Sequence, residues 1–116
     1  MANIQNPTSF SFAASADHNA TNGDGSDKVQ TYVVQVLLSG TVAREVNVGK
    51  PAPAGGTITI PAATIISGLA TDGTQFQVRP IAVGPAGRSG GSVSADTFSR
   101  TGATGVPAAP SSPTIS

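Results

Sequence analysis

Residues 28–48 carry the clearest hydrophobic pattern of the chain, an alternation with a period of two on either side of a Ser-Gly pair. Such alternation is typical of a strand with one buried face, and the β-branched and aromatic residues suit its pleated surface. Gly40 provides the positive φ of a tight turn, so the segment predicts a hairpin with a two-residue loop at Ser39 and Gly40. The expected core-facing side chains are Tyr32, Val34, Val36, Leu38, Val42, Val46 and Val48.

Further alternating segments predict the strands that complete the sheet, because an isolated hairpin is only marginally stable in water. We expect these strands at residues 9–15, 57–61, 75–83 and 92–98. Segments rich in Gly, Pro, Asn and Asp predict loops between them, at residues 17–27, 50–56, 71–74 and 84–91. Residues 62–69 either form one helical turn or close one end of the core with apolar side chains. About six short strands without a helical period predict an all-β fold, an antiparallel β-sandwich of six to seven strands.

The pattern divides the chain into three parts. Residues 1–8 predict an N-terminal arm or a short edge strand, and residues 9–99 predict the sandwich. Residues 100–116 are rich in Pro, Gly and Ser, a composition that favours an extended, polyproline-like arm and cannot build a core.

Composition narrows the classes of partner. The chain has 116 residues, enough for one domain, and its 4% aromatic content without Trp predicts a core of small aliphatic residues and Phe. Six basic and six acidic residues give no net charge, so we expect neither nucleic acid nor an anionic membrane as a partner. The absence of Cys excludes a disulfide framework and a thiolate metal site. No signal peptide and no apolar run of about 20 residues is present.

The reactive side chains do not predict a catalytic centre. His18 is the only imidazole, and it lies in a predicted polar loop where solvent would surround it. Adjacent loop residues such as Asp17 and His18 cannot orient one another as a catalytic triad requires. The carboxylates are scattered along the chain, so nothing indicates a pocket that would raise a pKa. We therefore expect a non-enzymatic protein with no cofactor and no small-molecule ligand.

A weak calcium site is the alternative for the loop of residues 17–27. Asp17, Asn19, Asp24 and Asp27 concentrate oxygen ligands there, and calcium prefers such ligands. The calcium-loop template fails, however, because Lys28 stands where the bidentate Glu belongs. An ordinary loop with Asx-turns is the expected structure, and no metal is assigned.

The order of these features resembles a fibronectin type III domain over residues 9–99. The matching segments are Tyr32-Val-Val, Gly68-Leu69, Thr-Asp-Gly-Thr-Gln-Phe-Gln-Val at 71–78, Ala-Val-Gly-Pro-Ala-Gly-Arg-Ser at 82–89, and a closing strand from Ser92. The chain departs from the family in three places. Phe76 replaces the corner Tyr, Phe12 or Ala14 stands where the family has a Trp, and Pro80 interrupts a central strand.

The resemblance implies a fibronectin type III-like or immunoglobulin-like sandwich whose first strand is short. Either residues 3–7 supply an abbreviated edge or the edge is left open, and an open edge is a place where a partner strand can add.

A module of this family without an export signal and with a pliant arm resembles an accessory protein of a phage virion. The resemblance implies capsid decoration or tail or neck attachment, with the major virion structural protein, copies of itself, or both as partners. Docking would use the sandwich and the arm, through the candidates Arg88, Val106, Pro107, Pro110, Pro113 and Ile115. The alternative is a spacer or carbohydrate-associated module of a larger secreted, extracellular bacterial protein, favoured if the reading frame continues beyond Ser116.

Overall fold

The computed structural model describes residues 2–102 and 109–115, and this part of the chain forms eight strands and one short helix. They are β1 (Asn3–Gln5), β2 (Ser9–Ala13), β3 (Thr31–Leu38), β4 (Thr41–Gly49), β5 (Thr57–Pro61), α1 (Ala63–Ile66), β6 (Gln77–Gly84), β7 (Gly87–Gly90) and β8 (Thr97–Ser99). Strands β4-β3-β6-β7 form an antiparallel sheet, β2 and β5 an antiparallel pair, and β1 and β8 a parallel pair. The predicted all-β sandwich is confirmed. Within the described residues, no helix has the length and apolar character needed to cross a membrane.

The core lies between the four-stranded sheet and the β2–β5 pair. Tyr32, Val34 and Val36 of β3 pack there with Ile58 and Ile60 of β5. Every residue from 32 to 37 is buried, because β3 is a central strand with neighbours on both sides. The predicted burial of Tyr32 is confirmed.

The β3–β4 hairpin turns at the predicted residues. Ser39 and Gly40 both have positive φ, 51° and 80°, as a type I′ turn requires. The predicted inward positions of Leu38 and Val42 are wrong, since these side chains are 40% and 44% exposed. The reason for Val42 is a register shift between Val36 and Leu37, which pairs Val42 with Leu37 and breaks the alternation expected from Val46 and Val48. Leu38 is the last residue of β3, directly before the turn.

Helix α1 closes one end of the core with Ile65 and Ile66. The last carbonyls of a helix have no partner within the helix. Here the Nη1 atom of Arg44 donates to the carbonyl of Ile65 at 2.9 Å, and that of Arg100 donates to the carbonyl of Ile66 at 2.9 Å. Two arginines distant in the sequence thus complete the cap.

The C-terminal part of the sandwich differs from the prediction. Residues 84–91, predicted as a loop, instead contain the β6–β7 turn and strand β7. The predicted strand at residues 92–98 is wrong over residues 92–96 and confirmed only at Thr97 and Phe98: strand β7 ends at Gly90, and β8 begins at Thr97. The last strand of the sandwich is therefore in two pieces, separated by residues 91–96.

Pro80 explains where that strand breaks. Its pairing with Val34 of β3 is in register, so Pro80 causes no bulge on that side. On the other side, the Gly91 N–H donates to the Pro80 carbonyl at 2.8 Å, but Pro80 has no N–H to return the bond. The Gly91 carbonyl accepts instead from Nε of Arg79 at 2.8 Å. The regular ladder therefore ends at this point, although Ser94 still holds the segment against β6, with its N–H donating to the Val78 carbonyl at 2.8 Å.

Candidate docking site

Strand β2 is an open edge of the sandwich. The pairing of β2 with β5 is flanked by two hydrogen bonds, from Ala62 N–H to the Thr8 carbonyl and from Ala14 N–H to the Gly56 carbonyl. These bonds show which backbone groups along β2 point towards β5. Because bonded residues alternate in an antiparallel ladder, the backbone groups of Ser9, Ser11 and Ala13 point away from β5. No described residue forms a hydrogen bond with those groups.

The other sheet edges in the described structure carry features that hinder the addition of a strand. The β4 edge has two register shifts against β3, β5 ends at Pro61, and β7 is only four residues long. Bulges, prolines and short length are the usual protection of an edge. Strand β2 reads Ser-Phe-Ser-Phe-Ala, with regular pairing, no proline and no charge.

The edge is open because the first strand of the sandwich is short and pairs elsewhere. Strand β1 pairs in parallel with β8 over three residues and does not contact β2 through a ladder. Its position is secured by the bond from Asn6 N–H to the Ser99 carbonyl at 2.8 Å. Both alternatives from the sequence therefore occur together: β1 is an abbreviated edge strand, and the β2 edge is left uncovered.

An apolar groove runs beside this edge, between β2 and residues 91–96. Its middle has a volume of about 290 Å³ and is lined mainly by Phe10, Phe12, Val34, Val78 and Pro80. The two phenylalanines are half-buried.

The groove continues towards β1 in an adjoining pocket of about 400 Å³, which shares Phe10 and Val78 with the first. Ile4 lines that end and is 50% exposed, and Val93 in the 91–96 wall is 41% exposed. Phe10, Val78 and the exposed Ile4 thus line adjoining pockets beside the unpaired backbone groups of β2.

Arg88 lies on β7 and not at the predicted loop tip. Its guanidinium contacts the Glu45 carboxylate at 3.0 and 3.2 Å, so side chains from the two edge strands of the sheet meet across β3 and β6. The pair lowers the pKa of Glu45 and raises the pKa of Arg88. Its role in partner binding stays a prediction.

Residues 100–102 of the arm are half-buried, and residues 109–115 are exposed. Pro110 and Pro113 are among them, and Ile115 is 98% exposed. Val106 and Pro107 lie outside the described residues. Among the described residues, the hydrogen bonds and the ion pair of the Arg88 side chain are with Glu45 and not with the arm.

The loop of residues 17–27 gives no geometric support to the calcium hypothesis. The Asp24 carboxylate accepts from the Ser26 hydroxyl at 2.6 Å and from its N–H at 2.9 Å, and these bonds lower the pKa of Asp24. Asp27 lies 3.8 Å from the Lys50 ammonium, while Asp17 and Asn19 are exposed. In the described ranges, no three acidic or imidazole side chains gather where they could hold an ion.

The solvated position predicted for His18 is wrong. Its ring is buried and stacks on Tyr32 with 5.7 Å between centroids, and Nδ1 lies 2.7 Å from the Tyr32 hydroxyl. The same hydroxyl accepts from Ser15 N–H at 3.1 Å. Among the described residues, Tyr32 is the only side chain hydrogen-bonded to His18, so the imidazole anchors a loop. The sequence did contain one indication that a polar side chain is buried here: Tyr32 was predicted to be buried, and a buried tyrosine hydroxyl needs a polar partner.

No protein-family model, no curated protein and no solved structure matches this chain. The β-sandwich is therefore established by its own structure, and the resemblance to fibronectin type III domains stays a prediction.

Proposed function

We propose that this chain is a non-enzymatic structural protein that is built into a larger assembly through its sandwich and its C-terminal arm. The observation that carries the proposal is the open β2 edge beside the apolar groove. An exposed strand edge binds an extended segment through main-chain hydrogen bonds, and adjacent pockets select its side chains. A groove with Phe10 and Phe12 at its base suits such a segment better than it suits a soluble substrate.

The proposed setting is a phage virion, with the major virion structural protein, copies of this chain, or both as partners. Three features support it: the resemblance to fibronectin type III modules, the neutral charge, and the exposed arm. A chain without net charge is suited to permanent contacts that rest on shape and strand pairing, since electrostatic steering chiefly speeds transient encounters. No cofactor, nucleic acid or membrane takes part in this function.

The experiment compares the full chain with a chain that ends at Gly102, each supplied to phage that lack the gene. We expect equal thermal stability for the two proteins, because residues 109–115 are exposed and outside the core, and the half-buried residues 100–102 are kept. Quantitative mass spectrometry of purified virions should find the full chain and much less of the shortened one. Equal occupancy would contradict the role of the arm, and absence of the full chain from virions would contradict the virion setting.

 A second candidate rests on the composition of the arm. Among residues 100–116, three are prolines (Pro107, Pro110 and Pro113), three are serines and two are glycines. Such a Pro/Ser/Gly-rich segment is also typical of inter-domain linkers, which favours a fibronectin type III-like spacer in a larger secreted protein. A reading frame that continues beyond Ser116 into another domain would support this candidate over the virion protein.

A further inference from the structure

We propose that residues 112–115 of one copy add as a strand to β2 of a second copy, with Pro113 and Ile115 inserted into the groove. This inference rests on the proposed assembly function and deepens it, because it names the partner and the two segments that meet. The occupant of the groove is then the arm of another copy of this chain.

The alternation of the two segments matches. Strand β2 reads Ser-Phe-Ser-Phe from Ser9, with the serines outward and the phenylalanines towards the core. The arm reads Ser-Pro-Thr-Ile from Ser112. In a strand paired antiparallel with β2, the residues that bond to the edge point their side chains outward, as Ser9 and Ser11 do. Ser112 and Thr114 take these positions, and the intervening apolar residues point into the groove.

The prolines of the arm agree with this register. Pro113 has no N–H, and the inward position directs its nitrogen away from β2, so no bond to the edge is lost. Pro110 lies three residues earlier and has the opposite orientation, which would place a missing donor against β2. The added strand therefore begins after Pro110, and its short length fits a β2 edge of five residues.

Exposure and charge favour a second copy as the donor. Residues 109–115 are exposed throughout, so this segment does not fill the groove of its own sandwich. Ile115, at 98% exposure, is a large apolar side chain with nothing to cover it among the described residues. Neither β2 nor residues 109–116 carry a charge, so no ionic group would be buried by the pairing.

The first experiment uses the absence of cysteine from the chain. Two full-length variants, Ser11→Cys and Thr114→Cys, are mixed and treated with a short bismaleimide. Mixing Thr41→Cys with Thr114→Cys is the matched control, because Thr41 is exposed at the tip of the β3–β4 hairpin, in the other sheet. We expect the first mixture to give at least about tenfold more cross-linked heterodimer, as expected for a specific contact.

Equal yields from the two mixtures would overturn the proposal. A chain that carries both Ser11→Cys and Thr114→Cys tests the source of the arm. Cross-links only within one chain, at every protein concentration, would show that each arm fills its own groove and would also overturn it.

The second experiment measures self-association of the full chain by light scattering across a concentration series. Ile115→Asp should weaken association by about tenfold to hundredfold, because it removes a buried apolar side chain from the groove. Thr114→Asp, the matched control, should leave association unchanged because its side chain faces solvent. Equal effects of the two substitutions, or a wild-type chain that stays monomeric, would overturn the proposal.

A failure of the strand-exchange proposal can be distinguished from a failure of the virion proposal. Both experiments use the purified chain alone, so a failure here leaves incorporation into virions to be decided by its own assay. Self-association through the arm together with absence from virions would instead contradict the proposed setting and support the strand exchange.

Discussion

Tyr32→Phe is the most informative perturbation of the fold, because one hydroxyl connects the core to the loop that precedes β3. The Tyr32 hydroxyl accepts from the Ser15 N–H at 3.1 Å and lies 2.7 Å from Nδ1 of His18. Tyr32 is 2% exposed and His18 is 8% exposed, so water has little access to either group. The substitution removes one oxygen atom and leaves the ring that packs on Phe12 in place.

The expected loss of stability follows from the two polar groups, on Ser15 and His18, that lose their hydrogen-bond partner. A buried donor or acceptor without a partner costs about 1–3 kcal/mol. The loss leaves two such groups, but Ser15 is only partly buried and its N–H can reach water when the loop shifts. We therefore expect the free energy of unfolding to fall by about 2 kcal/mol, within that range. This is a large share of the roughly 5–15 kcal/mol that stabilises a typical domain.

The assay is urea unfolding followed by circular dichroism, since the chain has no Trp and Tyr32 itself is changed. The midpoint should fall while the slope stays constant, because the surface exposed on unfolding is nearly unchanged. Thr59→Val removes a hydroxyl from an exposed strand position and is the neutral control. A double-mutant cycle with His18→Leu should show coupling of about 1 kcal/mol. A loss below about 0.5 kcal/mol, or strictly additive effects, would refute the anchoring role of the hydroxyl.

Two further predictions concern the four-stranded sheet. Arg88 holds the pKa of Glu45 below its ordinary value of 4.5, so this carboxylate contributes stability above that pH that is lost as pH falls through the folded-state pKa. Glu45→Gln should therefore flatten the acid-side decline of the urea midpoint, and an unchanged decline would show that the pair contributes nothing. A Cβ at Gly84 would lie 1.9 Å from the Lys28 carbonyl oxygen, so Gly84→Ala should cost about 1–3 kcal/mol in thermal melts. Gly23→Ala meets open space and should be nearly neutral, and equal shifts would mean that the backbone relaxes at position 84.

The sequence predicted those parts of the fold that depend on neighbouring residues. Period-two alternation located β2, β3, β4 and β5, because successive side chains of any strand point to opposite faces. The β3–β4 turn was predicted from Ser39 and Gly40, because a two-residue loop needs positive φ. The burial of Tyr32 followed from the same alternation.

Pro80 shows the limit of that local reasoning. The sequence indicates that one backbone donor is missing, but only the register shows that the missing N–H faces Gly91 and not Val34. The consequence is the break at residues 91–96 and with it one wall of the groove. No alternation within residues 92–98 reveals this, since the pattern there is still compatible with a strand.

The candidate site was decided by tertiary structure alone. The sequence alone determined an all-β chain with a polar, proline-containing arm, because alternation and composition are properties of consecutive residues. Whether β2 is covered depends on where β1 pairs, and β1 meets β8 more than ninety positions away. The contacts of His18 with Tyr32 and of Arg88 with Glu45 likewise join residues from separate elements. Such contacts depend on how the strands are arranged in space, which no local pattern specifies.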